Sequence, residues 1–419
     1  MMTQAFYTGV SGLKTHQTAI DIVSDNIANI STIGFRGYRP EFSSLFEEAL
    51  NTTSAKPTND TTGYGVKINA TAMDKGQGSI LLSERSTDLA IYGNGWFGIS
   101  GSAETMYTRA GNFTFDEDSD LVTTDGHYVL GTMGKNISDN NELTSILGEV
   151  ELGNINSQEK LRFPKTLTYP PEPSTVTKFM GNIGTEDAVQ TIGAGVVDSQ
   201  NNKNHLKLSF TKVEPQILPG SQWDVVATTQ TLDGETIYDT QTGTAEFDAS
   251  GGLISTTLSA IDNNGTQVAI DLGSGFDGIV AISNVAPSAS SVSDGTIGGE
   301  LSGYSISRNA EVIATFTNGM QSSVGKIAVY HFVNEQGLER AGGANFLKSD
   351  NSGDAIFYQD ENGKNITGVD VVNYKLENSN VRMDVALTDL IILQKSFDAN
   401  SKCVTTADQM IQKALQMHR

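Results

Sequence analysis

At the two ends of the chain, apolar residues recur in steps of four and three. Near the start the positions are Phe6, Val10, Leu13, Gln17, Ile20, Ser24 and Ile27, and five of these seven are apolar. Such a stripe predicts a helix that packs on another helix along one narrow seam. Ser31, Thr32 and Gly34 follow, so the helix is expected to stop near Asn29. Near the far end the same steps run through Ala386, Leu390, Leu393, Phe397, Asn400, Val404, Ala407, Ile411, Ala414 and His418. No Pro or Gly interrupts Val381 to Arg419. A helix of roughly 30 residues, about 45 Å long, is predicted there. A stripe of this kind also serves in the core helix of a globular domain. Here both helices are terminal, and almost no other helical segment exists for them to pack on.

Between the ends the period changes to two. His205–Phe210 (HLKLSF) and Lys326–Phe332 (KIAVYHF) alternate as half-buried strands do. Asn264-Gly265 separates two such runs, the strongest two-residue hairpin signal, and Asn318-Gly319 closes the strand EVIATFT. The Pro-rich stretch 164–173 and the Ser/Gly-rich run 287–299 bracket what reads as an inserted domain. The expected fold class is mainly β with terminal α-helices that pair. The expected division is a terminal helical assembly domain (1–28 and 381–419), an extended linker region (29–71 and 370–380), a discontinuous β-domain (72–150 and 300–369) and an inserted outer β-domain (151–299).

Composition narrows the function classes. At 419 residues the chain is too long for one ordinary core. Its formal net charge of −22 repels phosphate backbones, so nucleic acid is not an expected partner. Cys403 is the single cysteine, which excludes a disulfide within the chain and a cysteine-rich metal site. No apolar run reaches the ~18 residues of a membrane helix, so no membrane insertion is expected. The first residues lack the basic and continuous apolar regions of a cleavable signal peptide, so any export is expected to use another route.

Two segments invite a chemical reading. In DLAIYGNGWFGIS, Gly93, Gly95 and Gly98 have the spacing of a dinucleotide loop. Such a loop needs a helix after it to receive the pyrophosphate, and ISGSAETMYTRAGNFTF cannot start one. Trp96 and Phe97 also fill the place that a nucleotide would approach. The favoured reading is a tight hairpin, with Leu89, Ile91 and Phe97 buried and Gly93 and Gly95 supplying unusual backbone angles. In FDEDSDLVTTDGH, Asp116, Asp118 and Asp120 imitate the start of a calcium loop. The sixth and twelfth positions are Leu121 and His127 instead of Gly and Glu, which favours an acidic turn. The five histidines are scattered, and no nucleophile elbow, zinc motif or phosphate loop occurs. No catalytic residue, cofactor or metal is expected, and the chain does not read as an enzyme.

Three blocks carry a family resemblance. Gly9 to Phe42, GVSGLKTHQTAIDIVSDNIANISTIGFRGYRPEF, holds Asp25-Asn26-Ile27-Ala28-Asn29 followed by Gly34-Phe35. LENSNVRMDVALTDLIILQKSFDANSKCVTTADQMIQKAL holds Asn380, Ala399 and Asn400. STDLAIYGNGWFGIS and YTRAGNFTFDEDSDLVTTDGHYVLG lie between. Together they resemble the bacterial flagellar axial proteins, rod, hook and their relatives. The family's first signature Asn is Asp25 here, and the turns at Ser119-Asp120 and Asn309-Ala310 lack the glycine the family tends to place there. The large insert and the return segment from Ser302 are most similar to the hook members or a hook-like paralogue, since rod members are shorter.

The resemblance implies a structural subunit that polymerises into an open, flexible tube, a universal joint carrying torque from rod to filament. It implies self-association through Phe6, Val10, Leu13, Ile20, Ile27, Leu390, Leu393, Phe397, Val404 and Ile411. It also implies contacts with rod, hook-cap and hook–filament junction proteins, passage through the flagellar export apparatus, and a place on the extracellular flagellum. A distal rod subunit and, in another class, a secreted β-rich adhesin or binding module are the alternatives.

Overall fold

The computed structural model describes residues 2–45, 47–49, 61–101, 104–185, 189–216 and 219–417. Two α-helices are present among them, α1 (Met2–Ala28) and α2 (Met383–Met417), and they pack against each other. α1 ends where the sequence changes from apolar periodicity to Ser and Thr. Gly34 follows in the left-handed region, at φ +69°.

The segment expected as an extended linker is paired instead. Tyr38–Ser44 runs antiparallel to Val66–Met73, and Glu47–Ala49 pairs with Thr61–Gly63. Residues 50–60, the polar part of that expectation, lie outside the described residues. The ribbon lies back along α1: Thr15 Oγ1 donates to Val66 O at 2.9 Å, and the His16 and Phe42 rings are 5.6 Å apart. Hydrogen bonding between the two legs satisfies backbone groups that a lone linker would leave to water. The returning segment is paired too. Asp370–Asn373 joins Leu89–Tyr92, and Lys375–Glu377 joins Ile80–Leu82.

The first β-unit holds two larger sheets. One has six strands in the order Glu159–Lys160, Leu130–Met133, Gln321–Ile327, Glu311–Phe316, Gly299–Ile306, Thr168–Tyr169. The other has five, in the order Val329–Tyr330, Trp96–Ser100, Thr105–Thr108, Asn345–Leu347, Glu339–Gly342. Leu161, Phe163, Leu167 and Tyr169 are buried in this unit's core beside Phe97, Phe113 and Phe316. The boundary of the outer unit therefore falls after Tyr169, not at residue 151. The Pro-rich run passes along the first unit before it crosses.

The outer unit stacks two sheets over a separate core built on Phe179, Phe210, Trp223 and Phe247. One sheet is a meander of Val189–Val197, Lys203–Lys212, Ser221–Thr231, Ile237–Phe247 and Leu253–Thr256. The other centres on Val176–Asn182. Asn264 and Gly265 form the expected hairpin turn, both at positive φ, between Asn263 and its partner Thr266.

Candidate assembly interface

The helical stripes meet each other within one chain. Ala19 and Val23 of α1 are buried against Ala386 and Leu393 of α2, with Ile20, Ile27 and Leu390 at the margin. Phe6, Val10 and Leu13, and on α2 Phe397, Val404 and Ile411, are half-buried. Two glycines set the spacing of the pair. A Cβ on Gly9 would sit 2.7 Å from Val404 Cγ2, and one on Gly12 would sit 2.5 Å from Asn400 Oδ1. Ala28 and Ala399 face outward.

Of the residues expected to meet a neighbour, Ile20, Ile27, Leu390 and Leu393 also pack within the hairpin of the chain itself. The apolar positions left open are others. At 100° per residue, Leu387 and Ile391 lie on one flank of the α2 seam, and Val385, Ile392 and Met410 lie on the other. Ile391 and Ile392 are 58% and 56% exposed, and Tyr7 of α1 is 67% exposed. Two apolar flanks on one helical pair are what a subunit with a neighbour on each side requires.

Below the helices, the signature residues gather into one joint. Asn26 is buried and uses both ends of its amide: Nδ2 donates to Tyr38 O at 2.7 Å, and Oδ1 accepts from Tyr38 N at 2.9 Å. Asn380 does the same for the returning chain. Its Oδ1 accepts from Gly37 N at 2.8 Å, and its Nδ2 donates to Asp74 O and Gly76 O at 2.9 and 2.8 Å. Asn29 turns its amide back to Asp25. Asp25, in the family's Asn position, pairs with Arg340 of the first β-unit at 2.6 Å. The same guanidinium lies 5.2 Å from the ring of buried Phe35. Gly34 leaves room for the backbone of Arg109 and Ala110, since a Cβ there would come within 2.3 Å of Ala110 N.

At the centre of the joint is a buried carboxylate. Glu377 pairs with Arg36 at 3.0 Å and with Arg109 at 3.2 Å, and all three side chains are at most 4% exposed. Gly34 N donates to Glu377 O at 2.8 Å, and Gly78 N to Glu377 Oε1 at 3.1 Å. The guanidinia spend further donors on the carbonyls of Gly76 and Gly93. Burial pulls the Arg109 guanidinium down to about 10, and the facing Glu377 works against that fall, so it remains a cation at neutral pH. A carboxylate between two guanidinia, each also donating to backbone carbonyls, ties together the exit of α1, the entry of α2 and two loops of the β-unit.

Glu377, Arg36 and Arg109 were not among the expected site residues. Their signal was present, because each charge sits inside one of the three resembling blocks: Glu377 in LENSN, Arg36 in GFRG and Arg109 in YTRAG.

The glycine segment is not the expected hairpin. Leu89–Tyr92 pairs with the returning Asp370–Asn373, and Trp96–Ser100 pairs with Thr105–Thr108 and Val329–Tyr330. Leu89, Ile91 and Phe97 are buried, and so is Trp96. Gly93 takes φ +106°, but Gly95 is absent from the positive-φ positions. Gly95 and Gly98 serve close packing instead, as a Cβ on Gly98 would come within 2.3 Å of the Tyr330 ring. In the acidic segment, Asp116 Oδ1 accepts from Asp118 N and Asp120 N at 2.9 and 2.8 Å, and Asp120 grips Arg162. Ser119, Asn309 and Ala310 adopt φ of 62–63°, the angles that the missing glycines would take without strain.

Comparison with known proteins finds three family models. They are described as flagella basal body rod protein (residues 6–36), flagellar hook protein FlgE/F/G D1 domain (90–157) and flagellar basal body rod FlgEFG protein C-terminal (373–417). The chain is 28% identical to the flagellar hook protein FlgE of Borreliella burgdorferi, over 99% of this chain and 100% of that protein. It is 27% identical to its counterpart in Treponema pallidum, over the whole of both. Among solved structures, the Helicobacter pylori flagellar hook protein FlgE2 matches with a TM-score of 0.52 at 17% identity. That match covers 71% of this chain and 100% of that one and supports the shared fold.

Proposed function

We propose, from the premise that the chain is a flagellar axial protein of the rod and hook family, that it is a structural subunit of the flagellar hook. The observation that carries this reading is the joint. The residues of the three family blocks converge there from positions hundreds apart in sequence and hold a helical pair whose apolar flanks are open. A heterologous contact between such pairs whose rotation does not close propagates as an open helical tube. Leu387 and Ile391 on one flank, and Val385, Ile392 and Met410 on the other, are the residues assigned to neighbouring copies. The stripe residues Phe6, Val10, Leu13, Phe397, Val404 and Ile411 support them from within each hairpin.

The role is structural and not catalytic. Rod proteins at one end, junction proteins at the other and a cap during growth are the partners that such a tube needs. Passage through the flagellar export apparatus and an extracellular position go with the same reading. The outer unit, an insert of more than a hundred residues, favours a hook subunit over a shorter rod subunit.

The test is genetic and structural together. Deleting the gene should leave basal bodies with rods but no hooks and abolish motility. Electron micrographs of hook–basal bodies labelled with antibody to the outer unit should show label along the curved segment outside the cell. Label on the rod alone, or intact hooks in the deletion strain, contradicts the reading.

A further inference from the structure

We infer that Asn94-Gly95 is a site of spontaneous chemical modification, where the asparagine converts to aspartate and isoaspartate and the isoaspartate loosens the joint. This goes beyond the hook-subunit reading and does not depend on it. An asparagine followed by glycine is open to this reaction because glycine has no side chain to shield its amide nitrogen. The chain has four such pairs, beginning at Asn94, Asn264, Asn318 and Asn362. The reaction asks two things of the fold: a side-chain amide free to turn over the next peptide, and a glycine N–H that is not already bound. Three of the pairs meet neither condition. Asn264 Nδ2 donates to Asp198 Oδ2 at 2.8 Å, and Gly265 N donates to Asp262 Oδ2 at 3.0 Å. Asn318 Nδ2 donates to Ile297 O at 2.7 Å, its Oδ1 accepts from Met320 N at 3.0 Å, and Gly319 N donates to Phe316 O at 2.9 Å. The Asn362 side chain is bound to Asp360, and Gly363 N donates to Asp360 O at 3.0 Å. Asn94 differs on both counts. It is exposed, and neither its amide nor Gly95 N has a hydrogen-bond partner among the described residues. It also lines a cleft of about 790 Å³, ample for the water that the reaction consumes.

The chemistry needs only water. Gly95 N gives up its proton to solvent and adds its electron pair to Cγ of Asn94. A bond forms between them, the Cγ–Nδ2 bond breaks, and the side-chain nitrogen takes a proton and leaves as ammonia. The product is a cyclic imide. Water then adds to one of its two carbonyl carbons and a proton returns to Gly95 N. Opening at Cγ gives aspartate, and opening at the main-chain carbon gives isoaspartate. One water enters and one ammonia leaves, with nothing oxidised or reduced. Isoaspartate routes the main chain through Cβ and Cγ, so the turn after Leu89–Tyr92 gains an atom. Forward of the site there is no slack. Trp96–Ser100 is held in its sheet, and a Cβ on Gly95 would already meet Val329 Cγ1 at 2.8 Å. The displacement therefore falls on Gly93, which sits at φ +106°. Gly93 O accepts a guanidinium N–H of Arg109, one of the bonds that hold the joint.

The test ages the full-length chain, kept folded in mildly alkaline buffer and sampled over weeks. Peptides from an acid-protease digest are read by mass spectrometry for amide-to-acid conversion, and isoaspartate is scored by enzymatic methyl transfer. In the folded chain Asn94 should convert about tenfold faster than Asn264, Asn318 or Asn362, whose hydrogen bonds must first break. In denaturant the four should convert at similar rates, since the fold is what separates them. A folded chain in which Asn94 does not lead, or a lead that survives in denaturant, overturns the site. Fractions enriched in isoaspartate at residue 94 should exchange the amide hydrogens of residues 34–37 about tenfold faster than fresh chain does. Asn94→Gln keeps an amide but closes the larger ring far more slowly, so it should age without that change. Aged chain that exchanges as fresh chain does, or an Asn94→Gln chain that loses protection equally, overturns the effect on the joint.

Discussion

The chain passes out and back at two places, and the two are built differently. At the joint below the helices, residues 34–37 and 377–380 run together. They are locked by a buried carboxylate between two buried guanidinia and by two asparagines that each tie backbone from another segment. At the crossing between the β-units, residues 172–175 and 294–298 also run together. There the ties are backbone bonds between Glu172 and Thr296 and exposed polar contacts from Asp294 to Thr175 and Val176. Buried charges without their partners are costly, so the joint has essentially one arrangement. Exposed polar contacts exchange with water at little cost, so the crossing is expected to yield more readily than the joint. A tube that bends while it turns needs both: a fixed inner layer and an outer layer that yields.

The largest expected effect breaks the first side of this comparison. Glu377→Gln keeps the side-chain shape but leaves Arg36 and Arg109 buried without a counter-charge. It should cost about 3–5 kcal/mol in denaturant unfolding and expose both helices to protease. A loss below about 1 kcal/mol would show that the joint is not locked by charge. Next is Gly34→Ala, which forces a side chain into the left-handed region against the backbone of Ala110. It should cost about 1–3 kcal/mol by thermal melting, and an unchanged melt would mean that the close approach is relaxed in solution.

The crossing should respond to acid. Burial raises the Asp294 carboxyl, but hydrogen bonds from Thr175 and Val176 outweigh it and hold the group below its ordinary value. A depressed carboxylate stabilises the folded state above its unfolded value of about 3.9, and this is lost as pH falls through the lower folded value. Hydrogen exchange of residues 174–176 should therefore quicken below about pH 4, ahead of residues 34–37. Asp294→Asn should remove that difference, and a pH-independent crossing contradicts it. The smallest effect is a control in neither region. Ser119→Gly relieves a positive φ in an acidic turn and should stabilise the chain by about 0.5–1 kcal/mol. A loss of stability would mean that the Ser119 side chain has a role of its own.

The comparison also explains what could be read from the sequence. The helices, the Asn264-Gly265 hairpin and the burial of Leu89, Ile91 and Phe97 follow from periodicity and turn chemistry, which are local. The ribbon along α1 does not, because a run such as YRPEFSS carries no mark of its distant partner. The joint was half visible. Asn26, Gly34 and Asn380 stood out as motif letters, while Glu377 looked like one more surface acid until the fold brought Arg36 and Arg109 to it. The same holds for the helix flanks. The stripes predict that the terminal helices pair, but a stripe alone does not say which flank of the pair a neighbouring copy would cover.

The central claim is that the inner joint is fixed and the outer crossing yields. A cryo-electron microscopy map of a curved hook, with each protofilament resolved separately, tests it directly. The account predicts that Arg36, Glu377 and Arg109 superimpose in every protofilament while the angle between the two β-units changes around the curve. A joint that opens or reorients between protofilaments, with the β-units held at one angle, would contradict it.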